Sequence, residues 1–126
     1  PMAKWCMLLA GNYRCVQKDE MRTIRDAVHV NLSETRAVYE WVAELCISLG
    51  ASPSDMVPFE KYANAAESLI SPSSAARALA AGASNIERVD RLVQSIAANK
   101  GKSLEAVDRT VSLVDGWLSK NQPKTN

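Results

Sequence analysis

At 126 residues the chain has the size of one domain, and 47% hydrophobic against 23% charged residues is the composition of a folded globule. Fifteen Lys and Arg are interspersed with fourteen Asp and Glu, which excludes the clustered positive charge of a nucleic-acid stripe or a polybasic membrane patch. No apolar run approaches the roughly 18 residues of a membrane span. The longest, Trp5 to Gly11, also lacks the length and the small-residue cleavage site of a secretory signal.

Cys6, Cys15 and Cys46 are odd in number, show no CxxC spacing and sit among apolar neighbours, so reduced thiols and a cytoplasmic location are expected. Pro1-Met2 is an unusual start, and Lys120 to Asn126 reads as a frayed polar C-terminus, so the sequence is expected to have been cut at its front.

The chain reads as helix almost throughout. Residues 2–13 are apolar on nearly every side, which suits a helix buried in a core. Residues 17–29 place Met21, Ile24 and Val28 at helical spacing. The clearest helix runs from about 34 to 49, capped by Asn31 or Ser33, with Val38, Trp41, Val42, Leu45 and Leu49 on one stripe and Gly50 to stop it. Pro58 opens the next, whose inner face is Phe59, Tyr62, Ala63, Ala66, Leu69 and Ile70. Ser71 to Ser74 break the chain before a short Ala-rich helix that ends near Gly82.

Ser84-Asn-Ile-Glu87 has the form of a capping box, with Val89, Leu92, Val93 and Ile96 inward and Glu87–Arg91 as an outer pair. Gly101 ends that helix. Ser103 caps the last one, whose stripe is Leu104, Val107, Val111, Val114, Trp117 and Leu118. Strand alternation and internal repeats are lacking, so the expected fold is all-α, a compact bundle of about six helices.

The five glycines (11, 50, 82, 101 and 116) are far apart, so no Gly-rich phosphate loop is written in the chain. With His29 alone, a metal cluster or a serine triad has little to work with, and His29 itself reads as a surface or cap residue. Trp5, Trp41 and Trp117 fall on core stripes.

Lys4, Leu8 and Asn12, spaced i, i+4, i+8, stack along one face of the greasy first helix. A partly desolvated Lys4 would have a lowered pKa suited to proton transfer, whereas a Lys4 that snorkels from the first turn would be structural. Ser73-Ser74 at a helix start suits either a carboxylate or a plain cap.

Three stretches together resemble the C-terminal domain of the ketopantoate reductases (2-dehydropantoate 2-reductases). Lys4-Trp-Cys-Met-Leu-Leu-Ala-Gly-Asn12 is similar to that family's K-x3-N-x3-N helix, with Leu8 in place of the first Asn. Val38-Tyr-Glu40 to Leu49-Gly-Ala51 is similar to its long acidic-apolar helix. Ser73-Ser74, Arg77, Leu79, Gly82, Ile86-Glu87 and Asp90 resemble its Ser-Ser to Glu region, with the gap from Ser74 to Glu87 one residue longer.

The resemblance implies the helical fold of the C-terminal domain of 6-phosphogluconate-dehydrogenase-like reductases. It also implies one substrate-binding and dimerisation domain over 1–126, following a Rossmann domain that this sequence lacks. The implied function is reduction of a 2-keto acid to a 2-hydroxy acid with NADPH, as in pantothenate biosynthesis. Lys4 would be the general acid–base, with Asn12, Ser74 and Glu87 binding substrate. The implied partners are a small 2-keto acid and a second copy in a homodimer, with no nucleic acid and no membrane. The fragment alone would be inactive. The alternative is a non-catalytic helical interaction module; a helix-turn-helix DNA binder is disfavoured by the even charge.

Overall fold

The opening residues form one continuous helical run whose pitch changes three times, and the other elements gather round it. In the computed structural model, which describes residues 2–123, this run passes through a 3-10 turn (Met2–Lys4), α1 (Trp5–Met7), a π-helical stretch (Leu8–Asn12) and a second 3-10 turn (Tyr13–Cys15). There follow α2 (Ile24–His29), α3 (Leu32–Ser48), α4 (Phe59–Ala66), α5 (Ser74–Ala80), α6 (Val89–Asn99) and α7 (Glu105–Asn121). Among the described residues there is no strand, only an isolated bridge between Val16 and Met21. No helix among them is long and apolar enough to cross a membrane. The all-α expectation stands.

The run is central because it is apolar on most of its surface. Cys6, Leu9, Ala10, Cys15 and Val16 are all fully buried against Val28, Val38, Val42, Leu79 and Val93 from the surrounding helices. Gly11 makes this possible. A Cβ there would stand 1.8 Å from the Tyr62 hydroxyl, which donates to the Met7 carbonyl at 3.4 Å. Tyr62 stacks on Tyr39 (centroids 5.5 Å apart), and Tyr39 meets Phe59 edge-on at 5.3 Å. The run, α3 and α4 are keyed together by these rings.

Several boundaries differ from the sequence reading. Residues 17–23 are a turn, not helix. Gln17 N–H bonds Glu20 O, Arg22 N–H bonds Cys15 O, and the Thr23 hydroxyl caps α2 by accepting from Asp26 N–H at 3.0 Å. Helix α4 stops at Ala66, leaving Leu69 and Ile70 exposed instead of on its inner face. The Leu69 and Ser71 carbonyls accept from Arg25 and Ile24 N–H, satisfying orphan amides at the start of α2, and this pulls the chain out of helix.

The Ser84–Glu87 capping box does not form. Helix α6 begins at Val89 with no side-chain cap, and Leu92 faces solvent. Ser103 does not cap α7 either; Leu104 occupies the cap position. Asn31 is confirmed as the cap of α3, accepting from Glu34 N–H. The polar end is tied down as far as Gln122, since the Asn121 side chain donates to Leu79 and Ala83 carbonyls. Residues 1 and 124–126 of the two ends read above lie outside the described residues.

Two outcomes test this packing. Gly11→Ala should lower stability by ~1–3 kcal/mol in a urea melt, as overpacking does, and Tyr62→Phe in the same chain should recover part of it. A Gly11→Ala melt equal to wild type would show that the Tyr62 contact is not tight.

The second concerns pH. Burial, with a smaller push from Cys46, raises the Cys6 thiol from 9.0 to about 12, and burial raises the Tyr39 phenol from 10.0 to about 12. The unfolded chain loses these protons at lower pH than the folded one, so raising the pH favours unfolding. Stability should stay level on this account up to about pH 9 and fall between about 9 and 12, with all three buried thiols unreactive to iodoacetamide at pH 8 in the folded chain. Alkylation of the native chain at unfolded-state rates would contradict the burial.

Candidate functional site

A cleft of about 460 Å³ opens between the π-helical stretch, the start of α5 and the segment before α6. Asn12, Ser74 and Glu87 line it together with Leu8, Tyr13 and Ile86. Three of the four residues singled out from the sequence therefore share one cleft, although more than 60 residues separate the first from the others.

Each is delivered by a different device. Asn12 follows Gly11 in the π-helical stretch, whose wider i→i+5 turn changes the face on which it emerges relative to Lys4. Ser74 is the first residue of α5, and its neighbour Ser73 holds that helix in place. The Ser73 hydroxyl accepts from Ala76 N–H at 3.3 Å and donates to Asn12 O at 2.7 Å. Ser73 is thus the cap and Ser74 is free to face the cleft, since its hydroxyl makes no hydrogen bond among the described residues.

Glu87 is placed by Tyr13. The buried Tyr13 hydroxyl donates to Glu87 O at 2.5 Å and accepts from Val89 N–H at 3.0 Å, so one phenol fixes the irregular segment 85–88 from both sides. This tertiary pair replaces the local capping box, and it explains why the helix starts late. Burial raises the Tyr13 pKa, partly offset by the Val89 hydrogen bond. With its proton and a lone pair both committed, Tyr13 positions backbone and does not act as an acid.

Arg88, the neighbour of Glu87, is fully committed elsewhere. It forms a two-pronged pair with the buried Asp90 (2.9 Å on each side) and reaches Asp115 at 2.7 Å. Burial works against its charge, yet these carboxylates outweigh it and raise the Arg88 pKa. The Glu87 carboxylate makes no ion pair among the described residues and is the only charged side chain lining the cleft. The Glu87–Arg91 pair expected from the sequence is not formed.

Lys4 lies apart from these three. It is exposed at the end of the opening 3-10 turn and does not line the cleft, so the expected partial desolvation is not found. The physical reason is local: the turn rests on the core through Met2, whose carbonyl accepts from the Cys46 thiol, and Lys4 at its end faces solvent. The sequence reading missed Tyr13, whose hydrogen bond spans 74 residues, and of Ser73 it offered the helix cap but not the bond to Asn12 O, 61 residues away. His29 is half-buried, its Nε2 at 2.8 Å from Ala63 O, and ties α2 to α4.

No protein-family model matches the chain, and neither a curated protein nor a solved structure matches it.

Tyr13→Phe keeps the ring and removes the hydroxyl, leaving the buried Val89 N–H without its partner. A loss of ~1–3 kcal/mol is expected. Hydrogen exchange should quicken at Val89, while Ala10 and Leu9 keep their protection. Uniform acceleration along the chain would show that Tyr13 supports the whole fold and not this segment.

Proposed function

We propose that this chain is the helical, substrate-binding half of an NADPH-dependent oxidoreductase resembling ketopantoate reductase, acting on a 2-keto acid. The observation that supports it is the convergence of Asn12, Ser74 and Glu87 on one cleft. Those are the residues for which the resemblance implies substrate contacts, and the all-helical architecture agrees with it.

In this reading Ser74 and the Asn12 amide donate hydrogen bonds to the carboxylate and oxygen functions of the keto acid. Glu87 accepts from a hydroxyl. Lys4 gives a proton from Nζ to the ketone oxygen as it becomes a hydroxyl. An exposed Lys4 can do this only when a neighbouring domain covers the opening turn, which is what a preceding Rossmann domain would do.

The chain's own residues do not suit the nicotinamide nucleotide. Gly50, Gly82 and Gly101 adopt positive φ (104°, 102° and 73°) at helix ends, where they terminate helices and make no phosphate cradle. The same proposal gives NADPH binding to a nucleotide domain outside this sequence, and a homodimer and cytoplasmic location go with it.

A non-catalytic interaction module is the second reading. It draws on Val30 and Ile70, 72% and 66% exposed.

Titration with 2-oxobutanoate followed by 15N NMR separates the two. The reductase reading expects shifts confined to the cleft and abolished by Asn12→Ala. In a longer protein that carries the nucleotide domain, Lys4→Ala should lower kcat at least ~10²-fold with an unchanged melting temperature, since the side chain is exposed. Turnover within a few-fold of wild type would remove Lys4 from the mechanism, and absence of cleft shifts would favour the module.

A further inference from the structure

A second cleft of about 400 Å³ adjoins the first and shares Asn12 and Ser74 with it. Ile24, Ser71, Pro72 and Arg77 are among its other walls. The two differ in charge. Glu87 is the only charged residue lining the first cleft and Arg77 the only one lining the second. Arg14, Arg36, Arg88 and Arg109 are each paired with carboxylates, whereas Arg77 has no ion pair or side-chain hydrogen bond among the described residues. The Ser71 and Ser74 hydroxyls are likewise without partners among the described residues.

The walls are fixed before any ligand arrives. Ile24 N–H bonds Ser71 O at 3.1 Å, Arg25 N–H bonds Leu69 O at 3.0 Å, and Ser73 Oγ bonds Asn12 O at 2.7 Å. Pre-set donors cost less ordering on binding. A cleft lined by a planar guanidinium and by the serines 71 and 74, with no acid in the lining, is matched to an oxyanion. The same group beside Glu87 would be repelled, so the pair of clefts gives a ligand one orientation.

We infer that the second cleft is an anion subsite, so that the ligand of this chain carries a second anionic group, a carboxylate or a phosphate ester, at the end remote from Glu87. The inference rests on the keto-acid reading of the first cleft. Asn12 and Ser74 on the shared ridge serve the keto-acid head, and Arg77 serves the far end. Two adjoining clefts of this size also exceed what a short monocarboxylic keto acid fills.

The test compares three probes by NMR titration of the 126-residue chain: 2-oxohexanoate, 2-oxoglutarate and 3-phosphonooxypyruvate. At least one of the two probes with a second anionic group should bind at least ~10-fold more tightly than the monoanion, corresponding to about 1.4 kcal/mol, and Arg77→Gln should erase that preference while leaving 2-oxohexanoate unchanged. Preference for 2-oxoglutarate identifies a distal carboxylate, and preference for 3-phosphonooxypyruvate a phosphate. Equal affinities, or a preference that survives Arg77→Gln, overturn the anion subsite. If 2-oxohexanoate still shifts the cleft and loses it with Asn12→Ala, the keto-acid reading stands without the subsite. If no probe shifts the cleft, both fall. Arg77 is exposed on α5, so Arg77→Gln should fold normally, which a circular-dichroism melt checks.

Discussion

The Tyr62 hydroxyl sits where a side chain on Gly11 would be, and most of the arrangement follows from that contact. A helical run buried along most of its length needs neighbours that approach its backbone closely, and a missing Cβ allows the closest approach. Tyr62 comes in over Gly11, donates to the Met7 carbonyl, and by stacking on Tyr39 carries α4 and α3 with it. Tyr39 is itself anchored, donating to Val57 O at 2.6 Å. The π-helical stretch lies where the run is squeezed, and a side-chain hydroxyl supplying a carbonyl there is a usual accompaniment of such departures from α pitch. Asn12 is the next residue, so the contact that locks the core also sets the register of the cleft.

Around that axis the cleft is assembled by hydrogen bonds between residues distant in sequence. Tyr13 takes both polar groups of the Glu87–Val89 segment, and Ser73 links the start of α5 to Asn12 O. Arg14, also on the run and almost fully buried, donates to Thr35 Oγ1 and pairs with Glu34, which Arg109 reaches from α7. Burial lowers the Arg14 pKa against the pull of Glu34, so the pair acts more as a fixed registration point than as a source of stability. One short run thereby fixes α3, α5, α6 and α7 relative to each other, by partners that leave no buried side-chain polar atom unsatisfied among the described residues.

The helices were legible where burial is one-sided and caps are local. The stripe of α3 from Val38 to Leu45 and its Asn31 cap, the stop at Gly50, and the inner face of α7 all follow from spacing alone, although Leu49, expected on that stripe, is the C-cap and is exposed. The reading failed where a distant partner outbid a local one. Ser84 and Glu87 have the spacing of a capping box, but Tyr13 offers the backbone there a buried hydroxyl, and local spacing carries no sign of it. Leu69 and Ile70 continue an apolar pattern, yet α2 needs acceptors for its first amides and takes them from that segment. The cleft was half legible. Asn12, Ser74 and Glu87 were named from residue type and resemblance, and Ser73 was legible as a cap, whereas its bond to Asn12 O and the whole role of Tyr13 have no local motif. Lys4 was placed on the right helical run, but spacing alone does not show that its turn leaves it in solvent.

Leu8 gives the cleft a character that its polar residues alone would not. With Ala75, Ile86 and Val89 it makes an apolar wall beside Asn12, where the resembled family has a second amide. A site that offers no donor at that point gains nothing from a ligand hydroxyl and would have to desolvate it. A ligand methylene packed there, by contrast, adds about 0.8 kcal/mol when fully buried. On the reductase reading the preferred ligand is therefore polar at the Glu87 end, apolar along Leu8 and polar again on the shared ridge of Asn12 and Ser74. Hydrophobic contact is undirectional, and one methylene discriminates weakly. Selectivity must therefore come from the two polar ends, each held by side chains whose walls are hydrogen-bonded in place before the ligand arrives.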